Sequence, residues 1–155
     1  MKRGKPMKRS PLKRGSSQLK RSPLKPRSDK MAERYVDRRE LVKRLLKERP
    51  YCEACMVWAG HDAVKGLLKS TVVRQKKSVD IHELVNRSQG GSILDERNLL
   101  AVCRQCHTRI TTEPTVGETL GLHLESWCNT PPHFMEAARL RRDWKNAIVT
   151  EPYWR

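Results

Sequence analysis

Four cysteines form two Cys-x-x-Cys pairs, Cys52 with Cys55 and Cys103 with Cys106, separated by 47 residues. Each pair presents two sulfurs from one tight turn, and two such turns supply the four thiolates of a tetrahedral structural zinc site. Zinc is favoured over disulfides because no apolar run typical of a secretory signal occurs near the start of the chain. The fifth cysteine, Cys128, is predicted to be a small buried apolar residue. The pattern predicts a metal ion that stabilises a small core.

The segment between the cysteine pairs is predicted to form a ββα unit. Residues 79–85 alternate apolar and polar side chains, which is typical of a strand. A loop with a Gly90–Gly91 pair follows, and the apolar run 99–102 predicts a second strand. Residues 103–110 predict a turn that enters a helix. This order joins the start of the helix to the first cysteine pair.

Within this unit, the order His82-Glu83, Asn98, His107, together with the glycine pair and the flanking cysteines, resembles the HNH nuclease family and its ββα-metal fold. The resemblance covers about residues 50–112. It implies that His82 and His107 bind a catalytic divalent metal and that Glu83 is the general base. It also implies that Asn98 fixes the loop and orients the base through amide hydrogen bonds. These roles suit phosphodiester hydrolysis, which requires a water molecule activated by a base and a cation that stabilises the developing negative charge.

The residue at the base position departs from the family pattern, in which the first motif is commonly Asp-His or His-His. A glutamate ordinarily has a pKa of about 4.3 against about 6.5 for histidine, so it is a weaker base unless burial raises that value. An alternative register makes Asp80 the metal ligand and His82 the base, since these two side chains share a strand face. The adjacent register of His82 and Glu83 is preferred because the family pair is adjacent in sequence.

The third protein ligand of the catalytic metal is left unassigned. Many relatives carry another histidine one helical turn after His107, where this chain has Thr111. Three other histidines are predicted to be ordinary surface or core residues: His61, His123 and His133. Four arginines are candidate contacts to DNA phosphates that flank the scissile bond: Arg87, Arg97, Arg104 and Arg109.

Positive charge is concentrated at the N-terminus. The 155 residues carry 33 Lys and Arg against 17 Asp and Glu, a formal net charge of +16, and residues 1–30 hold 12 of the basic residues with one acid. This segment lacks aromatic residues, contains four prolines and repeats the motif of residues 8–13 at residues 20–25. It is predicted to be a disordered arm that contacts DNA phosphates. Composition excludes transmembrane, secreted and disulfide-scaffold classes.

Two helices are predicted outside the ββα unit, over 29–48 and over about 132–148, while residues 56–78 give little indication of structure. The predicted fold class is α+β, with a zinc-stapled ββα-metal core between flanking helices. The domain division is a basic arm at 1–30 and an HNH nuclease domain at 31–155. That domain comprises a core at 50–112 and a C-terminal helical extension at 113–155.

The predicted function is metal-dependent hydrolysis of DNA phosphodiester bonds, by nicking or double-strand cleavage. The resemblance implies 5′-phosphate and 3′-hydroxyl products, a structural Zn²⁺ and a catalytic Mg²⁺ or Mn²⁺, with Ni²⁺ or Zn²⁺ as alternatives. The basic leader and residues 151–154 resemble those of phage-encoded HNH proteins. That likeness implies a bacterial host cytoplasm, no membrane, and the phage packaging machinery as a partner. Two alternatives stay open: a non-catalytic zinc-ribbon DNA-binding protein, and a structure-specific nuclease of branched DNA.

Overall fold

The computed structural model describes residues 28–67 and 74–150, without the side chains of 148–150. The predictions for the basic arm up to residue 27, for residues 68–73 and for residues 151–155 lie outside the described residues. The described part is α+β, with a two-stranded antiparallel sheet and a four-cysteine cluster. Its elements are α1 (Asp29–Glu48), α2 (Cys55–Val64), β1 (Asp80–Glu83), β2 (Leu99–Val102), α3 (Arg104–Thr112), α4 (Pro114–Thr119) and α5 (Pro131–Thr150).

Helix α1 has the bounds that the sequence predicted. The Ser28 hydroxyl accepts a hydrogen bond from the Met31 N–H at 3.3 Å and so caps the first turn, and Asp29 places a negative charge there. The helix ends before Pro50, which cannot continue it. Leu45 is fully buried, so the apolar stripe of α1 packs onto the ββα unit.

Strands β1 and β2 form the predicted hairpin. Asp80 pairs with Val102 and His82 with Leu100, so these four side chains occupy one face of the sheet. Every residue of β2 is buried, and both α1 and α3 contact its partner strand β1. The order β1, loop, β2, α3 confirms the ββα arrangement predicted from the sequence.

Helix α2 is an element that the sequence did not indicate. Its ten residues carry a buried face of Val57, Trp58 and Ala59, and it packs closely against α5. No side chain caps its N-terminus, so the usual start signal is absent. Helix α5 spans the predicted 132–148 region and buries Phe134 and Ala137.

The segment before α5 differs from the prediction in one respect. Cys128 is only partly buried and its neighbour Trp127 is 72% exposed, because both lie in a single short turn on the surface. Cys128 is therefore not the buried apolar residue that its type suggested. Within residues 28–67 and 74–150, no helix is both long enough and apolar enough to cross a bilayer.

Candidate functional site

The four sulfurs of the Cys-x-x-Cys pairs come together where three elements meet. Cys55 opens α2, Cys103 precedes α3, and Cys106 lies on its first turn. All four ligand atoms lie within 4.8 Å of one another, with Cys55 Sγ at 3.9 Å from Cys103 Sγ and 3.7 Å from Cys106 Sγ. The cluster is compatible with a tetrahedral zinc site.

The protonation of these thiols shows why a cation suits the cluster. Hydrogen bonds from Cys106 and Cys55 lower the pKa of Cys52 to about 2, and the bond to Cys52 raises the pKa of Cys106. One thiolate therefore suppresses its neighbours when no cation is present, whereas a divalent ion stabilises several thiolates together. Glu53 holds the turn between Cys52 and Cys55 against β2, because its carboxylate accepts a hydrogen bond from the Ala101 N–H at 2.8 Å.

His82 of β1 and His107 of α3 meet beside the cysteine cluster, as predicted from their order. Their ring centroids are 5.4 Å apart. Asp80 lies on the same strand face as His82, and its Oδ2 is 3.6 Å from His107 Nδ1. The other oxygen, Oδ1, lies 3.1 Å from the Arg104 guanidinium. Strand and helix thus bring two imidazoles and one carboxylate to the same place.

Two polar atoms in this group are buried without a hydrogen-bond partner among the described residues: Asp80 Oδ2 and His82 Nε2. His82 is only 4% exposed, and burial lowers its pKa to about 4, with further lowering by His107 and His123. The Leu122 backbone opposes this shift through its contact with the ring, which raises the pKa. His82 is therefore neutral at pH 7, with an Nε2 lone pair free to bind a cation. A buried carboxylate oxygen and a buried imidazole nitrogen, neither of which has a hydrogen-bond partner, fit a divalent cation.

Glu83 has a different environment from the preceding histidine. Its Oε1 lies 2.7 Å from the Arg38 guanidinium of α1, and its Oε2 accepts a hydrogen bond from the Arg87 N–H at 3.1 Å. Together these two contacts fix the position of the carboxylate at the end of β1. Arg38 also donates to the Ile93 carbonyl at 3.0 Å, and so joins α1 to the loop of the hairpin.

Asn98 is fully buried and fastens that loop to the end of β1. Its Oδ1 accepts from the Val85 N–H at 2.8 Å, and its Nδ2 donates to the Val85 and Ser92 carbonyls, both at 3.0 Å. The backbone also approaches closely at Gly91, where a Cβ atom would lie 1.9 Å from the Val85 carbonyl oxygen. Only glycine fits at this position.

A solvent-filled cleft of about 420 Å³ passes over these groups. Its lining comprises Arg38, Ile81, His82, Glu83, Asn86, Arg87, Ser88, His107 and Thr111. A narrower cleft of about 240 Å³ shares His82, Asn86 and Thr111 with it. His82 and Glu83 therefore both line the same cleft, although the Glu83 carboxylate also forms an ion pair with Arg38 of α1.

The narrower cleft contains a residue to which the sequence assigned no role. His123 lines it, and its ring centroid is 6.5 Å from that of His82. His123 was predicted to be an ordinary histidine because it belongs to no motif, and the neighbouring sequence gives no indication that it lies near His82. His61 and His133 lie elsewhere: the first packs between Trp58 and Trp144, and the second contacts the Thr130 hydroxyl at 2.7 Å.

The four arginines considered for DNA contact all have acidic partners. The Arg87 side chain contacts the Tyr35 hydroxyl and lies 3.9 Å from Glu83, and Arg97 pairs with Asp95 at 2.8 Å. The Arg104 guanidinium lies 3.1 Å from Asp80, and its side chain is 73% exposed.

Arg109 is the most firmly held of the four. It forms two hydrogen bonds with Asp62, at 2.8 and 2.9 Å, and stacks 3.9 Å over the Trp58 ring. Its guanidinium joins α3 to α2.

Comparisons with known proteins identify no relative: no family model, no curated protein and no solved structure matches this chain. The site is therefore described by its own geometry, and no family membership is assigned.

Proposed function

We propose that the chain is a metal-dependent endonuclease of the ββα-metal type that hydrolyses phosphodiester bonds of DNA. The proposal is carried by two buried atoms that lack a hydrogen-bond partner, Asp80 Oδ2 and His82 Nε2, next to His107 at the edge of an open cleft. A separate four-sulfur cluster lies behind it. A purely structural zinc module has no need of a second set of ligand atoms.

Asp80, His82 and His107 would hold a divalent cation, and the buried orphan atoms are the reason for this assignment. When bound, the cation supplies electrostatic stabilisation of the negative charge that develops on the phosphate. His107 is about one-third exposed, so the site remains open to a substrate oxygen, as a catalytic site requires. The neutral state of His82 at pH 7 keeps its lone pair available.

The identity of the general base depends on which residues of β1 correspond to the two positions of the HNH motif, and two assignments compete. In the adjacent assignment, Glu83 takes a proton from water, and the Arg38 and Arg87 contacts hold its carboxylate in place. In the other assignment, Asp80 and His107 hold the cation, and His82 takes the proton instead of binding the ion. The buried pairing of Asp80 with His107 supports the second, and the position of Glu83 on the wall of the same cleft supports the first.

Charge supports a DNA substrate. The chain has a formal net charge of +16, the exposed Arg87 lines the cleft, and the exposed Arg104 lies against Asp80. Release of counterions from DNA phosphates would provide affinity that falls steeply with salt. Cleavage that leaves a 5′-phosphate and a 3′-hydroxyl is what the resemblance to HNH nucleases implies.

The second candidate function is a non-catalytic zinc-dependent DNA-binding protein. The four-cysteine cluster and the basic charge favour it, since both suffice for binding without hydrolysis. It differs from the first candidate in requiring nothing of His82, Asn98 or His107. Substitution of one of these residues therefore separates the two functions.

The test is nicking of supercoiled plasmid by the zinc-loaded chain with Mg²⁺, Mn²⁺, Co²⁺ or Ni²⁺. Wild type should nick the plasmid in at least one metal, and His107→Ala should reduce the rate by at least about 100-fold, as expected for loss of an essential cation. His133→Ala is the matched control, because His133 is exposed, hydrogen-bonds to the Thr130 hydroxyl and lines neither cleft described above. Equal background cleavage by wild type and His107→Ala, with DNA binding retained, would support the binding protein instead.

A comparison of branched with linear DNA at matched salt concentration tests the structure-specific alternative. Comparable rates on both substrates indicate a general nuclease, and cleavage confined to branched DNA indicates the structure-specific one. The salt must be matched because affinity of a basic chain for any DNA rises at low salt.

A further inference from the structure

The segment that follows α4 brings an additional imidazole to the candidate cation site. His123 lies across the narrower cleft from Thr111, next to the buried ring of His82. Among the described residues, neither ring nitrogen of His123 has a hydrogen-bond partner, so both are available to a ligand. Thr111 is a poor substitute, because its hydroxyl donates to backbone carbonyls of α3.

The backbone around His123 is held firmly. Gly121 has a φ of +67°, and a Cβ there would lie 2.4 Å from the Ala137 carbonyl oxygen, so the turn against α5 requires glycine. The Gly117 carbonyl accepts from the His123 N–H at 3.2 Å, and the Leu84 carbonyl accepts from the Leu124 N–H at 2.8 Å. The segment is therefore fastened to both α4 and the end of β1.

The same segment orients the neighbouring ligand. The Leu122 backbone lies against the His82 ring, and Nε2 of that ring is buried without a hydrogen-bond partner. Contacts to the ring of a metal-binding histidine help to fix its orientation. This segment thus contributes two groups next to His82: the backbone of Leu122 and the imidazole of His123.

The ring separations are compatible with a shared ion. Two imidazoles on a tetrahedral ion, with metal–nitrogen distances of about 2.0–2.1 Å, have centroids roughly 5 Å apart. His82 and His107 are 5.4 Å apart, close to that value. His82 and His123 are 6.5 Å apart, and His123 is only partly buried, so a small side-chain rotation closes the difference.

We propose that His123 is the third imidazole ligand of this cation site, which makes the site selective for borderline transition ions such as Co²⁺, Ni²⁺ or Zn²⁺ over Mg²⁺. The inference rests on the proposed function, since it extends the site formed by His82 and His107. Three imidazoles favour transition ions, whereas Mg²⁺ prefers an octahedral set of oxygens. His123 lies outside the ββα unit, in the segment after α4, so this segment is part of the proposed cation site.

The test measures Co²⁺ affinity by titration calorimetry on the full chain preloaded with one equivalent of Zn²⁺. Thiolate-to-Co²⁺ absorption is monitored in parallel, to exclude exchange at the cysteines. Wild type should bind one Co²⁺ and should bind Mg²⁺ much more weakly. His123→Ala should bind Co²⁺ at least about 10-fold more weakly, as for loss of a ligand or its supporting contact. His133→Ala should match wild type.

His123→Gln is included as a second variant, because it retains a side chain of similar length against Gly117 if alanine impairs folding. Retention of one zinc per chain and of the far-UV circular dichroism spectrum reports the fold in each variant. If His107→Ala loses Co²⁺ while both His123 variants bind it like wild type, His123 is not a ligand and the proposed function stands. If wild type itself binds no second ion, with or without DNA, the inference and the proposed cation site both fail.

Discussion

Replacement of Asn98 by alanine tests whether one buried amide holds the loop between the strands. The side chain makes three hydrogen bonds, one from the Val85 N–H and two to the Val85 and Ser92 carbonyls. A hydrogen bond contributes about 1 kcal/mol net, and a buried group left unpaired costs about 1–3 kcal/mol. Asn98→Ala leaves one N–H and two carbonyls unpaired, so we expect the free energy of unfolding to fall by about 3–5 kcal/mol. That is a large share of the roughly 5–15 kcal/mol of a typical domain.

The assay is urea unfolding at a fixed zinc concentration, followed by tryptophan fluorescence, because bound metal contributes to apparent stability. Asn129→Ala is the control, since Asn129 is exposed and donates a single hydrogen bond to the Gly90 carbonyl at 2.9 Å. The control should lose less than about 1 kcal/mol. Complete unfolding of Asn98→Ala agrees with the upper end of the expected range. A loss no larger than that of Asn129→Ala would show that the amide does not hold the loop.

Three further predictions concern the cysteine cluster, the base and the buried histidine. Removal of zinc by a chelator should unfold the ββα unit, since zinc binding contributes roughly 10–16 kcal/mol in small modules; a native circular dichroism spectrum in the zinc-free chain would contradict this. Glu83→Gln should abolish nicking while Co²⁺ still binds if Glu83 is the base, and full activity in that variant assigns the role to His82. Because the pKa of His82 is lowered from 6.5 to about 4 in the folded chain, the imidazole is protonated in the unfolded chain but not in the folded chain between these pH values. The free energy of unfolding should therefore decrease as the pH is lowered from 6.5 to about 4, by up to about 3 kcal/mol. Unfolding of zinc-loaded wild type and His82→Gln at several pH values checks this, and parallel pH profiles would contradict it.

The elements with strong local signals were predicted from the sequence. Helix α1 has a capping serine and a terminating proline, and the two strands have alternating or continuous apolar runs. The cysteine spacing likewise predicted a cluster that the structure forms. Helix α2 was missed because its start has no cap and its apolar residues serve a long-range contact with α5.

The candidate site divides in the same way. His82 and His107 were predicted to converge because both belong to one hairpin-and-helix unit, and their rings are in contact distance. His123 and Arg38 come from outside that unit, and only tertiary packing brings them to the cleft. Their roles depend on turns and helix positions for which no local sequence pattern exists.

The most direct measurement is anomalous X-ray diffraction from crystals of the zinc-loaded chain soaked in Co²⁺, recorded at the zinc and the cobalt absorption edges. We expect a zinc peak within the four cysteines and a separate cobalt peak within bonding distance of His82 Nε2 and His107. A single peak at the sulfurs, with no ion shared by the two imidazoles at saturating Co²⁺, would show that the second cation site does not exist.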